Sequence, residues 1–177
     1  TTQQHHMLSI TEKGELVKEE DFMPQLNKGG KYVFGWSLIR PGGILQFPSM
    51  AVSEYKLNEA TAVIAFTGSK STGGFCVTTE KLLAGSKLKG ILDAIPELIS
   101  HETDAGHFLP FKGRFYTWLP LSPNGIVTLP AETLSFLKLT SVHKLMSIRS
   151  SDIAFTMGAK GPLIERGLNY TGYIKTF

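Results

Sequence analysis

Sliding the 177-residue chain along itself by 82 positions brings two stretches into register, which identifies a tandem duplication. Trp36 falls on Trp118, Pro41 on Pro123, Gly43 on Gly125, Ile44 on Ile126 and Pro48 on Pro130. Ser53/Ser135, Lys56/Lys138, Leu57/Leu139 and Ser69/Ser151 coincide as well. Apolar character persists at Phe47/Leu129, Val52/Leu134, Tyr55/Leu137, Val63/Leu145 and Ile64/Met146. A two-residue deletion in the second copy then sets Gly74-Phe75 against Ala154-Phe155. A repeat of this kind is one supersecondary unit used twice, with each copy burying apolar surface against its neighbour.

Both copies carry the same local signals. A strand pattern, Tyr32 to Ile39 or Phe115 to Leu121, runs into Pro41-Gly42-Gly43 or Pro123-Asn124-Gly125. Gly-Gly and Asn-Gly supply the positive φ angles of a tight hairpin. A second strand follows at 44–47 or 126–129 and stops at Pro48 or Pro130, each suited to the first position of a helix. The predicted helix is about two turns long and ends near Leu57 or Leu139. Val52/Tyr55 and Leu134/Leu137 are three apart and share its buried face. A second hairpin, Ala62 to Val77 or Lys144 to Met157, completes each unit.

Five segments are therefore expected in one compact unit: a partly disordered N-terminal extension 1–30, repeat 31–78, a helical connector 79–112, repeat 113–160 and a tail 161–177. In the connector, Leu88, Ile91, Leu92, Ile95, Leu98 and Ile99 recur at helical spacing. This predicts one amphipathic helix from Thr79 to Ile95, broken by Pro96, with a shorter turn after it and a linker from His101 to Lys112. The fold class is mainly β with short helices.

Formal charge concentrates on the repeats. Residues 31–78 hold four basic and two acidic groups and residues 113–160 five and two, whereas 1–30 hold three and five and 79–112 four and five, out of a net +3. That permits a polyanionic partner without requiring one. No apolar run reaches the length of a membrane span. The polar start Thr1–Met7 lacks a signal-like apolar stretch, and the single Cys76 forms no internal disulfide, so a cytoplasmic setting is expected.

The order hairpin, Gly-Ile-x-x-apolar-Pro, short helix, Lys-Leu, hairpin resembles the AbrB-type swapped-hairpin family, to which MazE-type antitoxins and MraZ belong. The residues that carry the resemblance are Gly43-Ile44-Leu45-Gln46-Phe47-Pro48 through Leu57 and Gly125-Ile126-Val127-Thr128-Leu129-Pro130 through Leu139. Leu145-Met146-Ser147-Ile148-Arg149 resembles the strand after the helix. The resemblance implies that two units interleave their hairpins into one β-barrel, so that this chain is a covalent pseudo-dimer. It also implies a DNA-binding transcription regulator. The positions that match the family's arginines are Ser37, Ile44, Val52, Ser53, Leu119, Ile126, Leu134 and Ser135, and none is basic.

DNA contact would then fall to Lys31, Arg40, Lys112, Arg114 and Lys144 near the first hairpins, acting on phosphates without reading sequence. Lys70 and Arg149 lie near the second hairpins. The alternative is a non-enzymatic module for a ligand or protein on a scaffold without those DNA contacts. Homo-oligomerisation stays open. No nucleophile–base pair or paired carboxylates accompany a motif, so the chain is not expected to be an enzyme, and no cofactor or metal is expected. Thr67 to Gly74 has the glycines of a phosphate cradle but not the P-loop spacing, and it aligns with a hairpin turn. His101, Glu102, Asp104 and His107 lack zincin spacing and read as a polar linker. Trp36 and Trp118, equivalent in the repeat, are both expected in the core, and Cys76 is expected to pack as a small apolar residue.

Overall fold

In the computed structural model, Gly43 and Gly125 both sit at φ +78° and turn the chain at equivalent points. The structure describes residues 8–10, 16–18, 32–68, 70 and 72–177. Each turn ends a long strand and starts a short one: β3 (Val33–Arg40) to β4 (Ile44–Gln46), and β8 (Arg114–Pro120) to β9 (Ile126–Thr128). Gly43 N–H donates to Arg40 O and Gly125 N–H to Ser122 O, the same bond in each copy. Pro48 and Pro130 then lead into α1 (Ser49–Glu54) and α5 (Ala131–Phe136). Lys56 and Lys138 take left-handed conformations, at φ 54° and 59°, where each helix unwinds. The second hairpins are β5 (Ala62–Thr67) with β6 (Phe75–Thr78), and β10 (Lys144–Arg149) with β11 (Phe155–Gly158).

The antiparallel ladders join one copy to the other. Nine strands lie in the order β7-β8-β5-β6-β11-β10-β3-β4-β9, where β7 is Leu109–Phe111, and the sheet curls into a half-barrel. β3 of the first copy pairs with β10 of the second, as Lys144↔Leu38, Leu145↔Ser37 and Met146↔Trp36. β8 of the second copy pairs with β5 of the first, as Ala62↔Pro120, Val63↔Leu119 and Ile64↔Trp118. Adding 82 to each residue of one copy and subtracting it from the other turns the first set of pairs into the second. Two ladders map onto themselves. β4 pairs β9 about Leu45↔Val127, 82 positions apart, and β6 pairs β11 about Cys76↔Thr156, 80 apart because of the two-residue deletion. Phe47 N–H donates to Gly125 O and Leu129 N–H to Gly43 O, a reciprocal pair. The framework is thus two-fold symmetric in its hydrogen bonding.

The main core lies inside this curl and draws on both copies, including Phe34, Leu45, Phe47, Tyr55, Leu119, Val127, Leu129 and Phe155. Phe155 sits at its centre, with ring centroids 5.4 Å from Phe47 and 5.0 Å from Tyr55. The two outer faces are covered by segments outside the repeat. Over β5 and β8 lie Leu83, Ile91, Leu92, Ile95 and Leu98, against Ile64 and Tyr116. Over β3 and β10 lies Ile164 of α6 (Pro162–Leu168), against Val33, Trp36, Met146 and Ile148. The tail beyond α6 adds to the free half of β3 as well, where Trp36 N–H donates to Lys175 O and Phe177 N–H to Trp36 O.

The connector departs from the single helix that its periodicity predicts. It forms three short helices, α2 (Glu80–Ala84), α3 (Gly90–Ala94) and α4 (Glu97–Ser100). Thr79 caps α2, accepting from Leu82 N–H at 3.2 Å. Gly85 ends that helix, and Ser86 Oγ accepts from Leu88 N–H, which turns the chain before it reaches α3. The break rotates Leu88 out of the apolar face, and it is 52% exposed. The linker expected at 101–112 includes β7, which pairs with β8 through Leu109↔Tyr116 and Phe111↔Arg114. Of the N-terminal extension, β1 (Leu8–Ile10) pairs with β2 (Leu16–Lys18). Its expected disorder falls on positions outside the described residues.

Candidate functional site

The hairpin turns that the repeat builds carry the basic residues expected to meet an anion, and the structure divides them. Lys31 lies outside the described residues. Arg40 is exposed at the end of β3, opposite Ile44. Lys144 opens β10 across from Leu38, with its Nζ 4.3 Å from the centre of a Trp36 ring. Lys112 and Arg114 flank the β7–β8 turn on another part of the sheet. Lys112 Nζ is 5.3 Å from the Phe111 ring and Arg114 Cζ 5.7 Å from the Phe66 ring. Both latter contacts leave exposed cationic groups at the surface. Among the described residues no ion pair holds Arg40, Lys112, Arg114 or Lys144.

Arg149 is committed elsewhere. Its Nε donates to Glu54 Oε2 at 2.7 Å and its Nη2 to Glu54 Oε1, a bidentate pair that links β10 to the end of α1. The Glu54 hydrogen bond raises the Arg149 pKa further, so the group stays charged. Beside it, Tyr55 Oη donates to Ser151 O at 2.7 Å. Burial, with Glu54 adding to it, pushes the Tyr55 phenol up to about 12. This cluster ties the two copies together.

Lys112 and Arg114 do converge with other cations. Together with Lys87 and Lys160 they line a cavity of about 880 Å³. It lies between β5, β6 and β11, the connector helices, and the segment that enters α6. Phe66 stacks on Tyr116 in its wall at 5.5 Å, and Phe111 lies 6.5 Å from Tyr116. Burial raises the Tyr116 pKa, while Arg114 works against it, so at neutral pH this phenol is a neutral hydrogen-bonding group. Sequence reasoning missed Lys87, which belongs to the connector, and did not join it to Lys160, which closes the second repeat. Nothing in their local spacing points to each other.

The remaining candidates find structural roles. Trp36 is buried at 5% exposure, but Trp118 is only half-buried, which corrects the expectation that both serve the core. The physical reason is the unequal cover on the two outer faces. Trp36 lies under α6 and the tail, whereas Trp118 is met by the connector: His101 stacks on it at 4.0 Å and its Nε1 donates to Thr103 O. His107 Nδ1 is 3.4 Å from Glu132 Oε2. Among the described residues no three His, Cys, Asp or Glu side chains lie together as a metal site would need. Cys76 is buried on β6, with its Sγ 3.5 Å from Thr156 Oγ1 where the two copies meet. In the glycine-rich turn, Ser69 and Ser71 lie outside the described residues. No helix among the described residues is long and apolar enough to cross a membrane. No protein-family model matches the chain, and no curated protein matches it.

Proposed function

We propose that the chain is a duplicated AbrB-type swapped-hairpin module, of the transcription-regulator kind, that binds duplex DNA through its phosphates. The observation that supports this reading is the ladder register. Each copy's first strand pairs with the second hairpin of the other copy, β3 with β10 and β8 with β5. A two-fold framework suits a duplex, whose backbones are themselves related by two-fold axes. Arg40, Lys112, Arg114 and Lys144 supply cations at the surface, with Lys31 next to β3 in sequence.

These five residues neutralise at most about five phosphates, so the slope of log affinity against log salt is no steeper than about −4 to −5. Titrating a labelled random duplex against the full chain at low and moderate salt measures it. Arg40→Ala with Arg114→Ala weakens every duplex by a similar factor, because phosphate contacts carry no base information. No binding at low salt refutes the reading, and strong preference for one sequence refutes its phosphate basis. One observation favours a second reading, a non-enzymatic ligand-binding module: all four charged side chains in the lining of the cavity are cations.

A further inference from the structure

The cavity beside the β7–β8 turn combines an aromatic wall with charged groups of one sign. Its wall is aromatic, built by Phe66, Phe111 and Tyr116. Its charged groups, Lys87, Lys112, Arg114 and Lys160, share one sign, and no carboxylate among the described residues lines it. Four cations around one hollow repel each other, more strongly over a low-dielectric wall than in open water. An anion placed among them relieves that repulsion. At about 880 Å³ the hollow is also within the size range of small-molecule sites.

We propose that this cavity binds a small aromatic organic anion, with its ring against the Phe66–Phe111–Tyr116 wall and its acidic group toward the cationic rim. The aromatic wall selects a flat apolar body, since offset stacking adds to area burial. Arg114 has its guanidinium over Phe66, and a planar fork so placed offers paired N–H groups to a carboxylate or phosphate oxygen pair. Free inorganic anions lack the apolar body and leave the wall wet. The inference rests on the ligand-binding reading; it shares Lys112 and Arg114 with the duplex reading, whereas Lys160 belongs to the cavity alone and Arg40 to the duplex surface alone.

Calorimetric titration of the full chain with 1-naphthoate, 1-naphthyl phosphate and 1-naphthamide tests it. Either anion binds saturably, and the neutral amide binds at least about tenfold more weakly, the loss expected for one charge-assisted contact. The stronger of the two anions identifies the acidic group. Arg114→Gln and Lys160→Gln each weaken the anions about fivefold to tenfold, whereas Arg40→Ala leaves them unchanged. Equal binding of amide and anion, no saturable binding of either anion, or indifference to both cavity substitutions overturns the proposal. Lys160→Gln and Arg40→Ala also separate the two readings: the first acts on naphthoate alone, the second on duplex alone.

Discussion

Replacing Gly43 by alanine probes the junction of the two copies at the point where the structure allows least room. Gly43 sits at φ +78°, and left-handed backbone costs a residue with a Cβ about 1–2 kcal/mol. A Cβ built there falls 2.1 Å from Leu129 O, against an ordinary contact beginning at 3.4 Å, so β9 must retreat by 3.4 − 2.1 = 1.3 Å. That movement breaks the bond from Leu129 N–H to Gly43 O and strains the neighbouring β4–β9 ladder. One or two lost backbone bonds add about 1–3 kcal/mol, for a total of about 2–5 kcal/mol. Gly125 provides the internal control. It has the same φ of +78°, but its Cβ meets Val52 Cγ2 at 2.7 Å, a side chain rather than backbone. Gly125→Ala should therefore cost only about 2 kcal/mol, mostly conformational. Urea unfolding followed by circular dichroism measures both, with unchanged m showing that the midpoint shift reports stability. Equal costs for the two variants would refute the reasoning, as would a Gly43→Ala cost below about 1.5 kcal/mol.

Two further outcomes follow from the same geometry. Residues 113–177 expressed alone keep β8 and β10 but lose their partners β5 and β3, so the fragment should be unfolded or should dimerise; sedimentation showing a cooperatively folded monomer contradicts this. For Tyr55, burial raises the folded pKa to about 12 from 10.0, so the native state keeps a proton that the unfolded chain releases. Its contribution to stability is complete below pH 10.0 and is lost as pH rises toward about 12. Denaturation midpoints should fall across that window, and Tyr55→Phe should flatten the fall; an identical profile in the variant counts against the assignment.

Much of the fold was legible in the residues themselves. The shared Trp, Gly and Pro register located both copies, and Gly43 and Gly125 marked turns that the structure places at those residues. Pro48 and Pro130 marked helix starts, each falling at the N-cap, one residue before the expected first helical position. These signals are local: a positive φ or a missing N–H acts within one or two residues, so one stretch of sequence suffices to reveal it. The connector was less legible. Its helical periodicity continues through Leu88, yet Gly85 and Ser86 end α2 first, because a cap overrides a repeating apolar pattern.

Tertiary structure alone decided what each local element serves. Trp36 and Trp118 occupy the same place in the repeat but differ in exposure, since α6 and the tail cover one and His101 meets the other. The basic residues divided in the same way. Arg40 and Lys144 stay on β3 and β10, while Lys112 and Arg114 join Lys87 and Lys160 around an aromatic hollow. Lys87, the neighbouring Lys112 and Arg114, and Lys160 come from three separate stretches of the chain and meet only in the folded structure. Sequence spacing determines neighbours along a strand or helix, but charge acts through space, and the distances that govern it exist only once the chain has folded.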